Sequence, residues 1–95
     1  MVAPPPRSSN RDAAAQAGPL KRKLEAAEAV LARETKTVAD LDAILADPAL
    51  YVKDPARAAE VGRRRAKQQE ALDRAEALWM AAAEAYEAVA AATAN

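Results

Sequence analysis

From residue 20 onward, apolar side chains recur at alternating intervals of four and three. Leu20, Leu24, Ala27, Leu31, Glu34, Val38, Leu41 and Leu45 fall on one seam, and Glu34 is its single polar member. This heptad spacing keeps one stripe of a helix turned toward a partner. Val30 and Ile44 widen the stripe beside the seam. No Gly or Pro lies between Leu20 and Asp47, so the pattern predicts a helix over 20–46, about 40 Å long at roughly 1.5 Å per residue. A second seam runs through Ala58, Val61, Arg65, Gln68, Leu72, Ala75, Trp79, Ala82, Tyr86 and Val89. It predicts a helix over 55–91, in which Gly62 costs about 1 kcal/mol of propensity.

Between the two seams, Asp47-Pro48 and Asp54-Pro55 each place a capping carboxylate before a proline. Proline has no amide hydrogen and disfavours a helical residue before it, so the first step ends the first helix. Asp followed by Pro at the first helical position is also a start signal. The first step therefore predicts a short helical turn, and the second starts the next long helix. Leu50, Tyr51 and Val52 are large apolar groups in this tip (47–54), expected to fold back and cover its end.

If the chain doubles back near Leu50 and Tyr51, facing seam positions have numbers summing to about 102. Leu41 then faces Val61, Val38 faces Arg65, Glu34 faces Gln68, and Leu31 faces Leu72. Ala27 faces Ala75, and Leu24 faces Trp79. The polar members of the two seams fall in adjacent layers, where Glu34 with Arg65 or Gln68 forms a register-fixing polar layer. The expected fold is therefore all-α: a two-helix antiparallel coiled-coil hairpin over 19–92. The competing arrangement is two separate helices in a larger oligomer.

The first 18 residues have a different composition. Pro4-Pro5-Pro6 favours extended backbone, and Arg7-Ser8-Ser9-Asn10-Arg11-Asp12 is polar. The expectation is a disordered N-terminal tail over 1–18. Asn10 could cap a short helix through Ala13–Ala15. Gly18-Pro19 breaks the chain, with Pro19 in the first turn of the long helix that starts there.

Composition sharpens this picture. Alanine supplies 29 of the 95 residues, against eight Leu, six Val, one Ile, two Met and three aromatics. That set cannot fill a thick core, whereas Ala costs a helix least and lets backbones approach. With no Cys and no His, thiol nucleophiles, disulfides, His-based proton relays and Cys/His metal sites are excluded. Only Gly18 and Gly62 are present, so no glycine-rich phosphate loop can form. Carboxylates on a solvated helix keep near-reference acidity and lack a focused pocket, so no catalytic, metal or cofactor-binding residue is assigned. No segment reads as a secretory leader or membrane span, which leaves a cytoplasmic location as the expectation.

Fourteen basic and fourteen acidic side chains cancel, but they are unevenly distributed. Lys21, Arg22 and Lys23 open the first helix. Arg63, Arg64, Arg65 and Lys67 lie midway along the second, near the height of Arg33 and Lys36. A basic belt built from these groups could grip nucleic-acid backbone without reading sequence. The plainer reading is local pairing with Glu60 and Glu70 on a solvated helix. Trp79 and Tyr86, seven residues apart on one face, pack the open end or form a docking surface.

The stretch Leu41 to Pro55, with Leu45-Ala46-Asp47-Pro48-Ala49-Leu50-Tyr51 and Asp54-Pro55, resembles the hairpin tip of the C-terminal domain of ABC-F type ATPases, the Uup-like group. Ala75-Glu76-Ala77-Leu78-Trp79 and the opening Pro19-Leu20-Lys21-Arg22-Lys23-Leu24-Glu25 are similar to the same domain. The resemblance covers roughly 19–89. It implies a two-helix antiparallel coiled coil at the end of a soluble protein with two ATP-binding cassettes. ATP and Mg2+ would then belong to the parent's cassettes and none to this fragment. It further implies DNA, or the ribosome and its RNA, as partner, with no membrane. The chain departs from the family at Arg65 and Gln68, where apolar residues are frequent, and in its alanine content.

Two functions compete. In the first, a non-catalytic accessory domain contacts nucleic acid through Lys21, Arg22, Lys23, Arg63, Arg64 and Lys67. In the second, a structural coiled coil docks protein against protein through Trp79, with Tyr86 on the same face, and the leftover apolar faces; its partner is the rest of the parent ATPase or, by weak self-association, another copy, without binding nucleic acid.

Overall fold

A computed structural model describes residues 6–93. The chain forms α1 (Pro6–Leu45), α2 (Pro48–Lys53) and α3 (Pro55–Thr93). The fold is all-α, and α1 and α3 pack antiparallel as a coiled-coil hairpin. Contacts divide the chain into two units. One is Met1–Glu28 with Leu78–Asn95, and the other is Ala29–Ala77.

In the Ala29–Ala77 unit, the buried residues are Val38, Ala58, Val61, Leu72 and Ala75. All of them lie on the two seams. Leu31, Glu34, Leu41 and Leu45 on α1 are half-buried, as are Arg65 and Gln68 on α3. No described side chain is fully enclosed, because two helices can shield a seam from only two sides. Small residues suit this geometry: Ala58 and Ala75 let the backbones close in around Val38, Val61 and Leu72.

The tip belongs to the same unit. Asp47 Oδ1 accepts the Ala49 amide at 2.9 Å, with Pro48 next to the cap, and this starts α2. Asp54 Oδ1 accepts the Arg57 amide at 3.1 Å, with Pro55 next to it, and this starts α3. The Asp54 amide in turn donates to the Leu50 carbonyl at 2.8 Å, closing α2. Both Asp-Pro steps thus act as N-caps, satisfying amides that a helix start leaves unpaired.

The apolar tip residues behave differently from the sequence expectation. Val52 is 83% exposed and Tyr51 51% exposed, and α2 buries none of its residues. The reason is length: a helix of six residues turns only one side inward, and Ala49 and Leu50 occupy that side, both half-buried. Tyr51 contributes through its polar end. Its hydroxyl donates to the Leu45 carbonyl at 2.8 Å, satisfying one of the acceptors left at the end of α1.

The start of α1 also differs. The sequence pattern puts the first long helix at Leu20, whereas residues 6–18, expected as linker, are helical here and Pro19 lies inside α1. The part of the expected tail in residues 1–5 lies outside the described residues. Two features let the helix run through Pro19. Gly18 has no Cβ to collide with the proline ring, which is the usual obstacle at the preceding residue. The seam also continues backwards, with Ala13, Ala17 and Leu20 half-buried while Ala14, Ala15, Gln16 and Gly18 are exposed. In the unit that holds this segment, Ala82 is buried, and Leu24, Ala27, Trp79, Tyr86 and Val89 are half-buried.

The caps and the exposed valine make opposite predictions. Asp54→Ala should lower unfolding stability by about 1 kcal/mol through loss of the cap. Val52→Ala should change it by less than about 0.5 kcal/mol, as expected of a solvated surface position. Urea titration followed by circular dichroism measures both, and equal losses would contradict the described tip.

Candidate functional site

The polar members of the seam form the most organised side-chain cluster. Glu34 and Gln68, expected to face each other, are hydrogen-bonded, with Gln68 Nε2 donating to Glu34 Oε2. Arg33 Nε lies 3.6 Å from the other Glu34 oxygen. A half-buried carboxylate therefore has a hydrogen-bond donor at one oxygen and a cation near the other, which offsets the cost of drawing it out of water.

Arg65 leaves the layer assigned to it. Instead of meeting Glu34, it turns toward the tip and grips Asp42 with two nitrogens, Nε–Oδ1 at 2.8 Å and Nη2–Oδ2 at 3.3 Å. Its Nη1 donates to Gln69 Oε1 at 3.0 Å, and Gln69 Nε2 donates to Asp73 Oδ1 at 2.9 Å. The physical reason is geometry: the planar guanidinium matches a carboxylate two-on-two, and Glu34 is already occupied by Gln68. The side-chain hydrogen bond from Arg65 holds the Asp42 carboxyl below its ordinary range. The same bond raises Arg65. Sequence pattern alone does not single out Asp42, because it sits one residue past the seam position Leu41 and breaks no periodicity.

The candidate phosphate-contacting residues are placed as follows. Lys21, Arg22 and Lys23 are exposed on α1 in the unit containing Met1–Glu28. Arg63, Arg64 and Lys67 are exposed on α3 in the Ala29–Ala77 unit. The latter three line one shallow surface depression, and Glu60 and Glu70 line it too. Arg64 Nη2 lies 3.1 Å from Glu60 Oε1. Lys36, expected to extend a belt, lies 2.9 Å from Asp40. Carboxylates thus interleave with the basic groups of this unit at helical spacings of four, where opposite charges meet most readily. Trp79 and Tyr86 are half-buried on the seam. Beside Trp79 the large apolar groups that face solvent are its neighbours Leu78, 67% exposed, and Met80, 57% exposed. Each lies one residue off the seam, about 100° around the helix. That offset is legible in the sequence, but heptad spacing directs attention to Trp79 and away from its neighbours.

Among the described residues, no group of three or more acidic side chains could hold a metal ion. No described helix is long and apolar enough to cross a membrane.

The sequence model of the ABC transporter C-terminal domain family matches residues 19–84. No curated protein and no solved structure matches the chain significantly. The matched segment contains the seam of α1 from Leu20, both Asp-Pro caps and most of α3. The chain belongs to the ABC transporter C-terminal domain family, and its described elements are all helices. This agrees with the resemblance drawn from the tip and Trp79 motifs.

The Asp42–Arg65 pair gives a pH prediction. Because the folded-state carboxyl titrates below its unfolded value, the pair's stabilisation is complete above the unfolded pKa. It is lost as pH falls through the folded pKa. The stability gap between the wild type and Asp42→Asn should therefore close on acidification. In Arg65→Gln, the Asp42 carboxyl carbon, followed by NMR, should titrate at higher pH than in the wild type. An unchanged titration would show the pair to be loose in solution.

Proposed function

Starting from that membership, we propose that the chain is a structural docking module: a helical hairpin that its parent protein uses to hold protein against protein. The parent would carry ATP-binding cassettes with their ATP and Mg2+, and this domain would contribute surface and reach. The observation that carries this reading is the division of its surface chemistry. Large apolar side chains, Leu78 and Met80, face solvent on either side of Trp79, and leave apolar surface that a protein partner could cover. The basic groups of the middle are balanced where they stand. Arg64 is paired with Glu60, Lys36 with Asp40 and Arg65 with Asp42, while Arg63 and Lys67 share their depression with Glu60 and Glu70. A phosphate backbone approaching these residues would meet carboxylates among the cations, and each such neighbour reduces the counterion release that drives binding.

Fluorescence anisotropy with duplex DNA and with structured RNA, at several salt concentrations, tests this. Docking without nucleic-acid contact predicts no steeply salt-dependent binding, and no change on reversing charge at Arg63, Arg64 and Lys67. Binding that falls by orders of magnitude as salt rises, and is lost in that variant, would instead establish the nucleic-acid reading. In that case Lys21, Arg22 and Lys23 would be the next residues to reverse.

A further inference from the structure

α1 runs without a break from Pro6 to Leu45, yet Pro19 lies inside it. A proline there leaves the Ala15 carbonyl without an amide partner four residues on, and its ring crowds that carbonyl. The penalty is one-sided. If residues 6–18 unwind, Pro19 falls in the first turn of the remaining helix, where a missing amide costs nothing. Gly18 acts in the same sense, because glycine gains more backbone freedom on unwinding than any other residue. The start of the helix adds a third weakness. Its first turn holds no acidic residue and includes Arg7, a charge that the positive end of the helix dipole repels.

Little packing opposes this. Extending the alternation of facing positions backwards sets Ala17 opposite Tyr86 and Ala13 opposite Val89. All four are half-buried and belong to one unit. Within 11–18 every residue except Ala13 and Ala17 is exposed, so over this stretch the hold is two methyl groups. Beyond Pro19 the seam continues with Leu20, Leu24 and Leu31, which cover far more apolar area. We propose that residues 6–18 form a detachable strap, hinged at Gly18-Pro19. When helical it covers Tyr86 and Val89 of α3, and when unwound it bares them, while α1 beyond Pro19 stays helical. Access to this end of α3 is then conditional on the strap. The family match begins at the same proline, so the strap lies outside the matched segment.

Amide hydrogen exchange of the full 95-residue chain, followed by NMR at low urea concentrations, is the test. The amides of residues 10–17 should be protected, yet exchange together at least about tenfold faster than those of 30–45, as a separately opening segment does. Their rates should barely respond to urea, because unwinding the strap exposes little surface. The Ala17 methyl should show a nuclear Overhauser contact with the Tyr86 ring. Pro19→Ala should slow exchange at 10–17 by about tenfold or more, since proline is the costliest residue in a helix interior. Ala17→Asp should bring the same amides close to the rate of unstructured peptide. Both variants should leave residues 30–45 unchanged. Exchange at 10–17 that matches 30–45 in rate and urea response overturns the proposal, because α1 then opens as one piece. A complete lack of protection at 10–17, or a missing Ala17–Tyr86 contact, overturns the closed state. A gradual rise in rate from residue 17 back to residue 10, or no response to Pro19→Ala, overturns the hinge.

Discussion

Two antiparallel helices can bury only one stripe each, and everything in this chain depends on keeping that stripe closed. The buried positions Val38, Ala58, Val61, Leu72, Ala75 and Ala82 are all seam positions, and half of them are alanine. An alanine contributes little transfer free energy, but its small volume lets two backbones approach until dispersion contacts form along their length. Substituting larger residues would add apolar area and push the helices apart. The alanine content, at first sight a lack of core, is the condition under which a core this thin can form.

The polar layer works within the same constraint. Glu34 and Gln68 occupy seam positions where an apolar pair would bury more surface. They are tolerated because the seam is only half closed and each finds the other across it. A slip of one heptad would leave the half-buried carboxylate without Gln68, a cost that opposes misregister. The two-nitrogen contact of Arg65 on Asp42 adds a second cross-helix tie nearer the tip. These ties and the capped turn of α2 hold the Ala29–Ala77 unit in register from several independent points.

Membership in the ABC transporter C-terminal domain family fits a chain of this kind. The charges that invited a nucleic-acid reading are interleaved with carboxylates at four-residue spacing. Leu78 and Met80, which have no role in the seam, face solvent.

The sequence by itself determined the two seams, the two Asp-Pro caps and the opposition of Glu34 and Gln68. These arise from periodicity and local stereochemistry, which act over a few residues and are written in the order of side chains. It did not determine where Arg65 turns, since a long flexible cation chooses among carboxylates by distance, and only the packed helices supply those distances. The seam also ran back through Ala13 and Ala17, but alanines there carry too little hydrophobic signal to outweigh the warning of Gly18-Pro19. The exposure of Val52 and the partial burial of Trp79 were likewise decided by how much surface the opposite helix can cover, a property of the assembled pair and of no single segment.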